Sequence, residues 1–414
     1  MRICLYTNTA LPKVGGQEMV IDALARQFLA LGHEPVVLAP WRRSQGPFDS
    51  ASVPYAVAWH PRFISTRWFV PWYGHWMAKL HRSRRFDVIH CHGTYPAGYV
   101  GACCKAVRHL PLVITSHSDD MAPQGLYDRK PILRGRYRMA LAQADAAVAI
   151  SNCTAGMFRE TCPELRRVVN IPNGVCVQRF AVAVPPPADL DRAIRPKQYL
   201  LFLGRLDAGK GVDVLLNALA LAGDRCRLDL VVTGKGPASA ALASLAGRLG
   251  LESRVHFLGQ ADGDRKTWLL QNGLCTILSS RTWEALPLVA LESYAAGRPV
   301  IATNVPGLRE CVRQEQTGLL VPPEDPHAMA EAIVRMTCQP QQVDAWGGQA
   351  RLFARQFDWN DIALRHLDLF DELIAIKRRG AAPAREANSA AAARCKRPIA
   401  AHAGPRATAS PAAN

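Results

Sequence analysis

Two carboxylates with seven residues between them, Glu284 and Glu292, flank a proline in the stretch Ser279-Ser280-Arg281-Thr282-Trp283-Glu284-Ala285-Leu286-Pro287-Leu288-Val289-Ala290-Leu291-Glu292. The apolar run Leu274 to Leu278 before it reads as a short buried strand. Gly297 and Pro299 after it mark a helix stop. Pro287 is predicted at the first helical position, where its missing N–H costs nothing. That puts Glu284 in the strand-to-helix loop and Glu292 on the second turn, with the bare N–H groups near Leu288 and Val289 between them. A helix N-terminus flanked by two acceptors can hold a ligand that offers a phosphate at one point and hydroxyls at two others.

A phosphate needs cations, and Gly204-Arg205-Leu206-Asp207-Ala208-Gly209-Lys210-Gly211 supplies two in one glycine-rich turn. Arg205 can fork to two oxygens, and Lys210 acts as a point charge. Fixed cations beside helix N-termini suit a diphosphate whose negative charge grows as it leaves. In the first half, Gly15-Gly16 precede a helical pattern and let the backbone approach a ligand. His117, followed by Asp119 and Asp120, falls at the end of the strand Leu112-Val113-Ile114-Thr115. Such sheets bind ligands at that edge.

The elements that position these residues alternate strand and helix. Ile3 to Asn8, Pro35 to Ala39, Asp87 to His90, 112–115 and 146–150 are predicted strands of one half. Tyr199 to Leu203, Leu228 to Val232, Val255 to Gly259, Val300 to Thr303 and Gly318 to Val321 are those of the other. Residues 185–198 are read as the linker, following Pro185-Pro186-Pro187. The fold class expected is α/β, with two doubly wound Rossmann-like domains, 1–184 and 199–354, facing across a cleft. A last helix, within 355–378, is expected to cross back to the first domain, and 379–414 reads as a disordered basic tail.

Composition bounds the rest. The chain has 414 residues, 49% hydrophobic and 20% charged, enough for two cores. No apolar run approaches the ~20 residues of a membrane-spanning helix, and the start has no signal-peptide core, so the expectation is a cytoplasmic protein. The twelve cysteines follow no metal spacing and read as free thiols. Of the net +16, residues 41–85 carry +7 and 377–414 another +7, each from eight basic residues against one acid. The segment 41–85 breaks the alternation and holds Trp41, Trp59, Trp68, Trp72 and Trp76 among its cations. Its two readings are a surface helix with aromatics in the core and a peripheral contact with anionic membrane. Nucleic acid is not expected as a partner.

The pair Glu284 and Glu292, followed by Ser293-Tyr294-Ala295-Ala296-Gly297-Arg298-Pro299-Val300, resembles the E-x7-E signature of the retaining GT-B glycosyltransferases called family 4. The resemblance extends to Gly204-Arg205…Lys210-Gly211, Gly234-Lys235-Gly236-Pro237, Pro306-Gly307-Leu308-Arg309-Glu310 and Ile171-Pro172-Asn173-Gly174, and spans roughly residues 1–376. It implies a metal-independent enzyme, with no cofactor, that uses a nucleoside-diphosphate sugar. By that resemblance Glu292 binds ribose hydroxyls and Glu284 binds sugar hydroxyls. Arg205 and Lys210 stabilise the leaving diphosphate, and the N–H groups near Leu288 and Val289 hold the distal phosphate. Gly15, Gly16 and His117 meet the donor from the other domain on closure. Two departures stand out: Ser118 replaces a glycine in the His117 loop, and Ala285 replaces the glycine many members carry after the glutamate.

The reaction expected is hexose transfer to an acceptor hydroxyl with retention, by a front-face route in which the leaving phosphate helps deprotonate the acceptor. The acceptor expected is a lipid-linked or membrane-proximal glycan, with a soluble acceptor second. A sugar-nucleotide epimerase on the same fold and a non-catalytic glycan- or nucleic-acid-binding protein are the alternatives from other classes.

Overall fold

The computed structural model describes residues 1–12, 15–41, 52–61, 66–117, 130–190 and 194–379, with the backbone alone for 66–69. Asp119, Asp120, the arginines at 42, 43 and 62, the side chains of Arg67 and Trp68, and the tail from 380 lie outside the described residues.

Two parallel sheets organise the chain. The first contains β1 (Arg2–Thr7), β2 (Glu34–Trp41), β3 (Ala56–Pro61), β4 (Val88–His92), β5 (Leu112–Thr115), β6 (Ala146–Ala149) and β7 (Val168–Asn170). The second contains β8 (Tyr199–Leu203), β9 (Asp229–Thr233), β10 (Val255–Gly259), β11 (Thr276–Leu278), β12 (Val300–Thr303) and β13 (Gly318–Val321). Their orders are β3-β2-β1-β4-β5-β6-β7 and β10-β9-β8-β11-β12-β13. The central strands of each sheet are buried on both faces, so their residues are apolar with little alternation, as in Tyr199-Leu200-Leu201-Phe202 and Ile3-Cys4-Leu5-Tyr6, whereas the edge strands β3, β7 and β10 are mostly half-buried. The intervening helices are amphipathic. Gly16–Ala30 buries Val20, Ile21, Leu24, Ala25 and Phe28, an i, i+4, i+8 face.

Order reverses beside the first strand of each sheet, between β1 and β4 and between β8 and β11. At such a reversal neighbouring loops leave in opposite directions and open a crevice at the carboxyl edge. Arg205 and Lys210 follow β8, Glu284 follows β11, and Gly15 and Gly16 follow β1. The alternation therefore brings sequence-distant motifs to the same two edges.

Three local expectations change. The segment 41–85, expected to break the alternation, instead supplies β3, parallel to β2, and the 19-residue helix Thr66–Arg84. Pro71 lies inside that helix. Tyr73 and Met77, one turn apart, are buried against the sheet, whereas Trp72 is 56% exposed. Pro287 is the residue before the helix Leu288–Ala295 rather than its first member, because its ψ of 124° is still extended. The second domain also has a further helix, Pro340–Ala354, beyond Pro326–Cys338.

The chain crosses between domains twice, side by side. The N–H of Val175 donates to the Phe357 carbonyl at 2.7 Å, and that of Trp359 donates back to Val175 at 3.3 Å. The last helix, Trp359–Arg378, then buries Ile362, Leu367, Phe370 and Leu373 in the first domain's core beside Leu24 and Phe28.

Backbone stacking holds the second crevice. Gly234 has φ +138°, and a Cβ there would lie 1.7 Å from the Gly204 carbonyl oxygen. Gly250 also has a positive φ, +68°, but open space around it. Gly234→Ala is therefore expected to lower stability by about 3 kcal/mol or more, combining strain with overlap, against about 1 kcal/mol for Gly250→Ala. Urea-unfolding midpoints check this. Equal shifts would show that the close approach to Gly204 does not matter.

Candidate active site

The loops after β8 and β11 are tied together by main chain. Gly211, at φ +62°, caps the helix Val212–Ala222 so closely to the second loop that a Cβ would fall 2.1 Å from the Ser279 carbonyl. The Ser279 hydroxyl donates to the Lys210 carbonyl at 2.8 Å, and the Arg281 N–H to the Gly209 carbonyl at 2.9 Å. Arg281 also clamps Asp213 on that helix and Glu324. Its guanidinium hydrogen bonds hold the Asp213 carboxyl below the usual range. From the other side, the Glu284 N–H donates to the Pro306 carbonyl at 3.1 Å, and Gly307 presses against the Glu284 carbonyl.

That scaffold brings Lys210 and Glu284 into an ion pair. The Ser280 hydroxyl donates to the same carboxylate oxygen, Glu284 Oε1, at 2.5 Å. The sequence reading gives the two residues separate partners, diphosphate and sugar; in the structure they hold each other. Arg205 lies apart from them on the rim, 68% exposed, 2.6 Å from Asp207. An exposed pair of this kind stabilises by less than about 1 kcal/mol, so an anionic ligand can recruit the guanidinium at small cost.

Glu292 is buried on the helix Leu288–Ala295. Lys266 holds its Oε1 at 2.5 Å. Its Oε2 is buried with no hydrogen-bond partner among the described residues. A buried carboxylate oxygen without a donor is costly, and a ligand hydroxyl is the natural remedy. No side chain of residue 287 caps the N-terminus at Leu288 and Val289, which lies between the two glutamates.

In the first domain, Gly15 is extended (φ −164°) and Gly16 opens the helix after β1 with nothing within 4 Å of a Cβ. Neither glycine is demanded by its backbone conformation, so Gly16 contributes room at a helix N-terminus. His117 follows β5 half-buried, its Nε2 2.8 Å from His92 Nδ1 and the two rings within 12° of parallel. Behind His92 lie His90 and His366. Burial lowers all four, His117 to about 3 and His366 to about 4; repulsion from neighbouring histidines adds to it for His90, His92 and His117, and Arg365 adds to it for His366.

The domains also touch beside the Glu284 loop. The Glu310 carboxylate accepts from the N–H groups of Asn152 and Cys153, 2.7 Å each, at the start of the first-domain helix Asn152–Thr161. Asn173 Nδ2 donates to the Leu286 carbonyl at 3.0 Å, and the Trp283 indole N–H meets Cys153 Sγ. Asn173 and Glu310 stood in recognised motifs without a role. Lys266 and His92 were missed, although His90-x-His92 at a strand end was a usable signal. No group of three or more His, Cys, Asp or Glu among the described residues is placed to hold a metal ion. No described helix is long and apolar enough to cross a membrane.

Residues 14–179 match the family described as glycosyltransferase family 4, and 197–339 match glycosyl transferases group 1. The chain is 30% identical over 322 residues to a D-inositol 3-phosphate glycosyltransferase of Xylanimonas cellulosilytica, covering 73% of this chain and 76% of that protein. It is 26% identical over 397 residues to an uncharacterized glycosyltransferase of Methanocaldococcus jannaschii, covering 89% and 98%. Its fold is similar to that of sucrose-phosphate synthase from Thermosynechococcus elongatus, with a TM-score of 0.75 and 24% identity over 90% of this chain and 99% of that one. Anabaena HepE in complex with UDP superposes with a TM-score of 0.74 at 20% identity, over 90% of this chain and all of that one.

His90, His92 and His366 are buried neutral, whereas an unfolded histidine titrates near 6.5. Below that pH the unfolded chain binds protons that the folded one refuses, so stability is full above about 6.5 and falls as pH drops towards 4. The expected loss approaches ~1.4 kcal/mol per pH unit for each histidine. Urea midpoints between pH 7.5 and 4.5 should decline accordingly, and His366→Gln should flatten the decline. A pH-independent midpoint would contradict neutral burial.

Proposed function

This chain belongs to the family 4-like glycosyltransferases of GT-B fold, and from that premise we propose that it moves a hexose from a nucleoside-diphosphate sugar to an acceptor hydroxyl with retention of configuration. The observation that carries the donor assignment is the buried, unpartnered Oε2 of Glu292, placed beside an uncapped helix N-terminus. That oxygen receives a ribose hydroxyl, and Lys266 holds the carboxylate in place through its other oxygen. The N–H groups of Leu288 and Val289 hold the distal phosphate. Lys210 and Arg205 neutralise charge on the departing diphosphate. The Lys210–Glu284 pair orients the lysine, and Glu284 accepts from a sugar hydroxyl. Gly15, Gly16 and His117 meet the sugar from the first domain. The complex of HepE with UDP supports a nucleoside diphosphate in a crevice of this shape. The leaving phosphate takes the acceptor's proton, and no metal enters this scheme.

The acceptor we favour is a lipid-linked or membrane-proximal glycan used in surface polysaccharide or glycolipid assembly. It is reached by peripheral contact with anionic lipid on the cytoplasmic face. Support comes from the helix Thr66–Arg84, where Trp72, His75 and Lys79 are exposed and Trp76 half-exposed on one side. Indole rings settle at the headgroup level and cations at acidic headgroups.

Lys210→Ala and Glu292→Ala should each reduce transfer about a hundredfold or more, read as nucleotide release with a panel of nucleotide sugars and acceptors. Wild-type rates in both variants would remove the donor assignment. The protein should sediment with anionic liposomes at low salt, and Trp72→Ala with Trp76→Ala should weaken that severalfold. Equal binding to neutral liposomes would rule the contact out.

A further inference from the structure

We infer that Asn173 is a positioning residue: from the crossing between the domains it holds the Leu286 carbonyl and so aims the Leu288 and Val289 N–H groups at the distal phosphate. The inference rests on the reading of those N–H groups as the phosphate site, and it adds the side chain that sets them.

Asn173 stands where the backbone is pinned. Pro172 precedes it, and Gly174 follows so close to the second crossing that a Cβ there would fall 2.5 Å from the Trp359 ring. Val175 donates its N–H to the Phe357 carbonyl and accepts from the Trp359 N–H. From that anchored position Asn173 Nδ2 donates to the Leu286 carbonyl at 3.0 Å. A carbonyl only accepts, so the contact fixes which end of the amide faces Leu286. Both residues are buried, 6% and 7% exposed. Water is no ready substitute for the amide in such a place, and a carbonyl stripped of its donor forfeits a full hydrogen bond.

Leu286 lies midway between Glu284 and Leu288. Its carbonyl sets the plane of the Leu286–Pro287 peptide. The proline ring locks the next dihedral, φ −71°, so ψ, at 124°, is the one soft rotation left before the Leu288 N–H. No side-chain cap orients this helix end. Within the second domain the loop is held at Glu284, whose N–H donates to the Pro306 carbonyl. Pro287 has no N–H with which to add a further tie. Asn173 supplies that restraint from the first domain, and so refers the phosphate site to the domain that carries Gly16 and His117.

Calorimetric binding of UDP and UMP to the intact protein tests this, because of the two only UDP carries the distal phosphate. GDP and GMP serve in the same way if the uridine pair does not bind. Asn173→Leu, close in size but without a donor, should weaken the diphosphate about tenfold and the monophosphate less than about threefold. Parallel weakening of both, or of neither, would overturn the proposal, since a merely structural role moves them together. In the unliganded protein, amide hydrogen exchange over 284–295 should quicken severalfold in the variant, with β8 and β9 unchanged. Unchanged exchange over 284–295 would also overturn it. If Asn173→Leu does not fold, Asn173→Ala provides the same two readouts. A wild-type protein that binds no nucleoside diphosphate would count against the proposed function, and the exchange would then judge Asn173 alone.

Discussion

The close approach of Gly211 to the Ser279 carbonyl is the constraint on which the second domain's crevice depends. Only a residue without a Cβ, in the left-handed region, lets the loop after β8 lie directly on the loop after β11. Once they are in register, the Ser279 and Arg281 hydrogen bonds follow, and Lys210 reaches Glu284. Gly307 and Gly234 repeat the device on either flank, each against a carbonyl of these loops. The crevice is thus a stack of bare main-chain segments whose shape side-chain motion cannot alter much.

That rigidity has an electrostatic counterpart. Both signature glutamates are already paired with lysines, Glu284 with Lys210 and Glu292 with Lys266. Part-buried pairs of this type hold each carboxylate aimed before a ligand arrives, which lessens reorganisation during a reaction. Arg205, by contrast, lies exposed at the rim and is paired with Asp207.

Much of this was legible in the residues. Strand runs such as Tyr199 to Leu203 and glycine-punctuated turns specify the alternation, and the strand-order reversal then puts Lys210 near Glu284. The first-domain segment 41–85 was harder to read. Pro71 inside the helix and short Ala56-Val57-Ala58 mask the helical and strand periods, and among the described residues of the helix Tyr73 and Met77 at i, i+4 carry the burial signal. Lys266 and His92 were missed because their partners lie 26 and 25 residues away, and no local spacing announces such a contact. The residues put Pro287 one position too far into its helix, since φ suits either position and ψ alone distinguishes them.

The crossing of the last helix into the first core bears on synthesis of the chain. Ile362, Leu367 and Phe370 complete a core begun by Val20, Leu24 and Phe28, more than three hundred residues earlier. As the ribosome makes the chain, the first sheet must wait with that face uncovered until the whole second domain has emerged. The second domain's sheet is contiguous, from 199 to 321, and can close first. Vectorial folding of this protein would therefore run against sequence order, with the later domain finished before the earlier one.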